Sequence, residues 1–284
     1  MQSQTIGWLA ALLLSSALAS AQHPANPPLP DIRQLMREVH DHQEQLEKVR
    51  ENYTYSTSQV TQELDGNGHV TKTETREWEV FFVNGHGVSR LVKKDGKPLE
   101  GDDLQKETER VTKEVEKAEK PVQPEEKQQD RNINLRRILE LTEVRNPRRE
   151  SYQGRPTIVF DFVGNKDQKE HGLNEDLSKK LQGTVWVDEA DRQVARLEAT
   201  FYDNFKVGGG LLVNVQKGSS FRFDQARVNG EVWLPTGAEV NLAMRMMLLK
   251  GIREHFSERD YDYKRFSVET QQSKDAKVVP DKKP

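Results

Sequence analysis

The sequence predicts an α+β fold in which a curved antiparallel sheet of about ten strands forms an unclosed β-barrel, with helices covering the concave face. Three observations support this prediction. One long amphipathic helix comes first, the spacing of apolar residues then changes from three or four to two, and turn sequences containing Gly separate the alternating segments. Because strands twist, a sheet of this length curls and leaves an inner side for helices to fill.

Residues 1–21 predict a cleavable secretory signal peptide. Positions 6–18 are almost wholly apolar or small, and Ala19-Ser20-Ala21 is the small-x-small pattern that signal peptidase cuts, although the usual basic residue is missing before them. The apolar run of about 13 residues is shorter than the roughly 20 that cross a bilayer. We therefore expect cleavage near Ala21, a periplasmic or secreted mature protein and no integral membrane protein. Residues 22–30, with four prolines, form a Pro-rich leader.

The composition restricts the chemistry that the chain can perform. It has 43 basic and 46 acidic residues, a net charge of −3, and no cysteine. Such a mixed surface gives no electrostatic reason to expect nucleic acid as a partner. The absence of cysteine excludes disulfides, thiolate metal sites, a cysteine nucleophile and a lipobox. Stability must come from core burial and from hydrogen bonds within the sheet.

The first elements are one helix and a meander of about three strands. From residue 31 to about 51, apolar residues recur mainly at three- and four-residue spacings, which predicts an amphipathic helix. Alternation with a period of two follows from Tyr53. Asp65-Gly66-Asn67-Gly68 is a strong hairpin signal because Gly and Asn tolerate positive φ. Trp78, Val80 and Phe82 continue one face of the meander, and Asn84-Gly85 and Asp95-Gly96 mark its next turns.

Residues 102–130 predict a charged helical insertion. Most of positions 106–120 are Lys, Glu, Arg or Thr, and Pro121 and Pro124 interrupt the segment that follows. One interpretation is a solvated helix with a flexible polar tail, and the other is a coiled coil that docks a partner. Apolar residues at 133–141 then predict a short core helix that stops before Asn146-Pro147.

The remaining pattern completes a single domain over residues 31–268. Strands resume at Tyr152 and are followed by a helical patch at 174–181, a hairpin over 184–202, strands near 221–228 and 232–243, and a last pair that reaches Phe266. Residues 269–284 form a charged tail that we expect to be disordered.

The motifs of the second half have a distinctive order. Gly154-Arg155 opens a strand, and Gly183-Thr184-Val185-Trp186-Val187-Asp188 is followed by Val194-Ala195-Arg196-Leu197-Glu198. Gly230-Glu231-Val232-Trp233-Leu234-Pro235 then precedes a long apolar strand and Tyr261-Asp262-Tyr263-Lys264-Arg265-Phe266. This order resembles that of periplasmic outer-membrane lipoprotein-sorting proteins, the LolA-like carrier superfamily. In layout the resemblance covers about residues 30–268.

The resemblance implies an unclosed barrel that cradles lipid acyl chains between its concave sheet and its helices, without catalysis. The insertion at 102–130 departs from the compact carriers, which puts in question whether the same partners are used. The motifs themselves are hairpins with one apolar and one polar face, so they indicate a fold rather than a chemistry.

Residue patterns typical of enzymes are absent from the sequence. There is no Gly-x-Ser-x-Gly elbow, no His-Glu-x-x-His helix and no phosphate-binding Gly-x-x-x-x-Gly-Lys loop. His40 and His42 are two positions apart on a helix and point in different directions. Pairs such as Asp260 and Asp262 are expected by chance among 46 acidic residues. We predict no catalytic site, no metal site and no cofactor.

The candidate ligand-binding residues are large apolar side chains near mobile or adaptable segments. Three glycines at 208–210 precede an apolar run, which is either a flap over a cavity or a buried strand entered through a bulge. Three of the five methionines lie at 244–247, where they either line a cavity for variable apolar cargo or fill the core. The candidates are Trp78, Phe82, Trp186, Leu211, Leu212, Leu242, Met244, Met246 and Leu248.

Two functional hypotheses follow. The first is a monomeric, non-enzymatic carrier or chaperone that binds a lipid or an acylated lipoprotein in an apolar groove by burial. The second is a structural or protein-interaction module of the cell envelope, with a filled core, whose charged helix at 102–120 contacts an envelope protein.

Overall fold

The chain is an α+β protein built on one large antiparallel sheet, described here by a computed structural model. The structure describes residues 27–50, 52–84, 86–120, 139–167, 169, 171–207, 213–246 and 251–265. The predicted signal peptide, most of the Pro-rich leader, the glycines at 208–210, the tail at 269–284, residues 121–130 and most of the helix expected at 133–141 lie outside these ranges.

Strands make up most of the described secondary structure, and three helices lie between them or before them. In chain order they are α1 (Ile32–Arg50), β1 (Tyr53–Leu64), β2 (Val70–Val83), β3 (His86–Lys94), β4 (Lys97–Pro98), α2 (Gly101–Glu119), β5 (Thr142–Tyr152), β6 (Arg155–Gly164), α3 (Leu173–Ser178), β7 (Leu181–Asp188), β8 (Val194–Phe201), β9 (Phe205–Val207), β10 (Val213–Val215), β11 (Ser220–Val228), β12 (Val232–Met246) and β13 (Ile252–Arg265).

The sheet is open. Its order is β4-β3-β2-β1-β13-β12-β11-β8-β7-β6-β5, and β10 and β9 extend it from β12. The last strand of the chain, β13, pairs with the first, β1, so the two halves of the meander join in one sheet. Within the described residues β4 and β5 end the order without pairing to each other. This confirms the predicted antiparallel, unclosed α+β architecture, with thirteen strands in these ranges instead of about ten.

Strand register identifies the two faces of the sheet. Leu197 lies opposite Phe223, which lies opposite Ala238, which lies opposite Glu258, which lies opposite Gln59. Because directly opposed residues point to the same side, this row marks one continuous face across five strands. We call it the inner face and the opposite side the outer face.

Both long helices cover the inner face. Apolar side chains of α1 join a core that contains Leu197, Val185 and Phe160. At the other end of the row, Gln59 accepts a hydrogen bond of 2.7 Å from the indole of Trp78, and Arg110 of α2 lies over that indole at 5.8 Å. The helices therefore cover different parts of the same face. The core residues contributed by α1 are Ile32, Leu35 and Val39.

Helix α2 is held to the sheet by a buried carboxylate, that of Glu107, so it is not solvated on all sides. Glu107 has only 8% of its surface exposed. Its carboxylate accepts hydrogen bonds from the backbone N–H of Leu91 and from the guanidinium of Arg110. Although burial opposes the shift, these bonds lower the pKa of Glu107. The opposite side of the helix keeps the charged, exposed surface that the sequence predicts, for example at Glu109, Lys113 and Glu116.

Strand β5 differs from the sequence expectation, which placed no strand between the core helix at 133–141 and Tyr152. It runs through Asn146-Pro147, where the register with β6 shifts between Arg145 and Arg148. A proline is tolerated here because β5 is an edge strand and Pro147 lies in the bulge. The charged residues of β5 lie on this exposed edge, where charge protects against unwanted strand pairing.

Candidate functional site

The candidate site is a band of partly exposed apolar side chains on the inner face. Phe221 lies opposite Val240, which lies opposite Phe256, and Met244 lies opposite Ile252. Alternation along β11 and β12 brings their neighbours onto the same face. All are partly exposed rather than buried. The members of this apolar band are Phe221, Phe223, Val240, Leu242, Met244, Ile252 and Phe256.

The band stays partly exposed because the helices pack elsewhere. Helix α2 contacts β2 and β3. Helix α1 packs on the core around Phe160 and Val185, and its last turn places Val49 against Val232 and Leu234 at the beginning of β12. The far half of β12 therefore keeps an apolar inner surface in contact with solvent. An exposed apolar surface of this kind marks a site of interaction more often than a random surface does.

A groove opens beside the far end of the band. It has a volume of about 640 Å³ and is lined by Met244 and Ile252, together with charged residues at its rim. Small-molecule sites typically enclose about 300–1,000 Å³. The groove therefore combines a suitable volume with an apolar wall that continues into the band. Its charged rim consists of Glu63, Asp65, Arg245, Arg253 and Glu254.

A bulge in β13 places polar groups beside the apolar band. Asp262 has a left-handed backbone with φ of 56°, and Asp262 and Tyr263 lie together opposite Tyr55. This extra residue returns Tyr263 to the inner face next to Asp260. The ring centroids of Tyr55 and Tyr263 are 5.5 Å apart. Without the bulge, strand alternation would place the side chain of Asp262 on the inner face. With the bulge, this side chain is about half exposed to solvent.

Asp260 is a buried carboxyl group with one unused oxygen. Only 6% of the residue is exposed. Its Oδ1 accepts a hydrogen bond of 2.6 Å from the hydroxyl of Thr57, and its Oδ2 has no partner among the described residues. Burial raises the pKa of Asp260 to about 6; the bond from Thr57 opposes this shift, and the nearby Glu258 carboxylate adds to it. The inner face thus holds one carboxyl that ionises near neutral pH.

Two of the predicted ligand-binding residues lie in the apolar band. Leu242 and Met244 are half-buried on the inner face of β12. Met246 is the last residue of the same strand, and its side chain lies outside the described residues. Leu211, Leu212 and Leu248 also lie outside them.

The three predicted aromatic residues lie in different places. Trp78 is on the inner face, between Gln59 and Arg110, and Phe82 is on the same face of β2 and half-buried. Trp186 lies on the outer face, because its neighbours Val185 and Val187 point into the core. There it packs against Tyr152, at 6.4 Å between ring centroids, and under Arg196. Trp186 is therefore not part of the inner surface.

Sequence reasoning missed five members of the band. They belong to strands that were expected, but they were not selected as site residues: Phe221, Phe223, Val240, Ile252 and Phe256. Their period-two spacing was a usable signal for one face. The register that aligns this face with Met244 depends on contacts far apart in sequence, so the sequence alone could not group them.

The described residues contain no cluster of three or more His, Asp or Glu side chains that could hold a metal ion. His42 is instead engaged singly, with its Nδ1 3.1 Å from the carbonyl of Asp191. Among the helices in the described ranges, none combines the length and apolar character needed to cross a membrane.

The chain was compared with family models, curated proteins and solved structures, and only the last comparison gives matches. No family model and no curated protein matches the chain. Among solved structures, it is similar to a LolA superfamily protein from Nitrosomonas europaea, with 12% identity, a TM-score of 0.32 and coverage of 81% of this chain and 94% of that one. A domain assigned as an outer membrane lipoprotein-sorting protein from Vibrio parahaemolyticus gives 11% identity, a TM-score of 0.35 and coverage of 82% and 94%.

A third similar structure is the MucA/MucB complex of Pseudomonas aeruginosa, with 9% identity, a TM-score of 0.26 and coverage of 81% of this chain and 100% of that one. Identities and TM-scores this low support no transfer of function, so the functional argument must come from the site itself.

Proposed function

We propose that this protein is a non-enzymatic carrier or chaperone outside the cytoplasm that binds a lipid, or the acyl chain of a lipoprotein, on the inner face of its sheet. The observation that carries the proposal is the apolar band on β11–β13, which stays partly exposed and continues into a groove of about 640 Å³. Predicted export by residues 1–21 supports placing this activity in the periplasm.

The binding energy would come from burial. Each methylene removed from water contributes about 0.8 kcal/mol, so six to eight buried methylenes supply about 5–6 kcal/mol before ordering costs. The band offers mainly Phe, Met, Leu and Val side chains, which make few directed contacts and therefore accept chains of different length. Met244 adds a flexible side chain that can adjust to its guest.

A charged side chain in the band tests the proposal. Leu242→Glu places a carboxylate on the inner face, where it should weaken binding of a fluorescent acyl probe at least tenfold. Asn241→Glu is the matched control, because Asn241 is the adjacent residue on the exposed outer face. Equal affinities of the two variants would contradict the proposal, as would the absence of any co-purifying lipid in native mass spectrometry of protein isolated from its own envelope.

The alternative is an envelope interaction module that uses α2. Its exposed charged face, which includes Glu109, Lys113 and Glu116, favours this alternative. Reversing these three charges leaves the anchoring pair Glu107–Arg110 intact. If these reversals abolished capture of an envelope protein while Leu242→Glu had no effect on any activity, the interaction module would replace the carrier.

A further inference from the structure

A second cavity lies on the inner face beneath the first turns of α1. It has a volume of about 280 Å³, separate from the groove beside Met244. Its floor is apolar, because Phe160 and Leu139 belong to the buried core. The volume lies near the lower limit of about 300 Å³ for small-molecule sites, which suits a segment of one chain. The apolar lining consists of Ile32, Met36, Leu139, Val144 and Phe160.

Two arginine side chains line this cavity. Arg33 and Arg37 both line it and both are exposed. They are four positions apart on α1, so their side chains project from neighbouring turns of one helix face. Within the described ranges neither guanidinium forms an ion pair. Most arginines on the strands, by contrast, form ion pairs; Arg155, for example, is paired with Asp188 and Asp191.

We infer that this cavity binds a single-chain amphiphile with an anionic head group. The part of the chain nearest the head group would occupy the apolar floor, and the carboxylate or phosphate would contact Arg33 and Arg37, whose planar guanidinium groups suit either oxyanion. Glu140 also lines the cavity but is engaged in an interaction of its own. The inference rests on the proposed carrier function and goes beyond it, because it assigns a second, separate site that selects amphiphiles by the charge of their head group.

The experiment measures the affinities of three oleoyl probes by isothermal titration calorimetry: oleate, oleoyl lysophosphatidate and neutral monoolein. Arg33→Gln combined with Arg37→Gln should weaken binding of an anionic probe about tenfold, as expected for two exposed charge contacts, and change binding of monoolein less than twofold. Loss for oleate alone identifies a carboxylate, and loss for the lysophospholipid alone identifies a phosphate. Either result supports the inference.

Two variants locate the site and control for charge. Val144 is 36% exposed on the edge strand, so Val144→Trp can fill the cavity without disturbing the core, and it should weaken oleate binding at least tenfold. Arg259→Gln removes a cation from the outer face, where Arg259 stacks on Tyr261, and should have no effect.

The outcomes separate this inference from the carrier proposal. If all three probes bind and the double arginine variant weakens none of them, or weakens monoolein equally, the head-group inference is wrong while the carrier proposal stands. Unchanged oleate binding in Val144→Trp would also overturn it. If no probe binds the unmodified protein, both proposals fail.

Discussion

Replacing Asp260 by asparagine should change how the stability of the protein depends on pH. In the native protein burial raises the pKa of this carboxyl to about 6, whereas its ordinary value is 3.8. The native state therefore holds its proton more tightly than the unfolded chain does. The stabilising effect of protonation is complete below about pH 4 and is lost as the pH rises through 6.

The size of the effect follows from the shift. A difference of about two pKa units corresponds to about 3 kcal/mol of unfolding free energy between pH 4 and pH 7.5. The carboxamide introduced by Asp260→Asn cannot ionise and can still accept the hydrogen bond from Thr57. Its NH₂ group would occupy the position of the unpartnered Oδ2, which costs about 1–3 kcal/mol at every pH. That constant offset does not affect the slope with pH.

Urea unfolding at several pH values measures this slope. The free energy of unfolding of Asp260→Asn, relative to the unmodified protein, should rise by about 2–3 kcal/mol from pH 4 to pH 7.5. Asp262→Asn is the matched control, because Asp262 is half exposed and asparagine tolerates its left-handed backbone. A difference for Asp260→Asn that stays constant within about 0.5 kcal/mol would refute the assignment of a buried carboxyl with a raised pKa.

Three further predictions concern stability. Gly183→Ala should destabilise the protein by more than about 2 kcal/mol in thermal unfolding, because a Cβ there would overlap the carbonyl of Glu198 and lie 2.7 Å from the Phe162 ring; an unchanged melting temperature would contradict this. Glu107→Ala should accelerate hydrogen exchange throughout α2, since it removes the bonds to the Leu91 N–H and to Arg110; equal protection would show that α2 is held by other contacts. Asp188→Asn should destabilise the protein by about 2–4 kcal/mol at pH 7, because the carboxylate accepts hydrogen bonds from Arg155 and from backbone N–H groups. Although burial opposes the shift, these bonds lower the pKa of Asp188, so its contribution to stability is lost only below about pH 4. Urea unfolding at pH 7 and at pH 3 measures the loss and its dependence on pH.

Local patterns predicted much of the fold. The helix expected from residue 31 to about 51 is found at Ile32–Arg50, and the hairpin expected at Asp65-Gly66-Asn67-Gly68 joins β1 to β2. Both depend on neighbours in sequence: apolar spacing in the helix, and residues that tolerate positive φ in the turn. Asn229 and Gly230, between β11 and β12, show the same turn chemistry, with φ of 51° and 71°.

Features that depend on distant contacts were missed. The sequence predicted no strand at β5, because Asn146-Pro147 normally indicates a loop or the end of a helix. A bulge at this proline is possible because β5 lies at the edge of the sheet. Alternation along β13 grouped Asp260 with Asp262, whereas the bulge groups Asp260 with Tyr263. A bulge changes the face of every residue beyond it, and the local sequence around Asp262 does not predict this bulge.

The sequence predicted an apolar binding surface but identified only some of its residues. Leu242 and Met244 lie in the apolar band, whereas Trp186 lies on the outer face. Composition identified β12 as an unusually apolar strand, but which of its residues share a surface with Phe221 and Phe256 is determined by register with β11 and β13. A pairing of strands far apart in the chain cannot be read from one strand.

The dependence of affinity on chain length tests the carrier account most directly. Dissociation constants for saturated acyl probes of 8, 10, 12 and 14 carbons, measured against one head group, report how much methylene surface the protein removes from water. If the apolar band and its groove bury the chain, each added pair of methylenes should tighten binding about tenfold until the groove is full. Affinities that do not change across the series would show that the inner face holds no acyl chain.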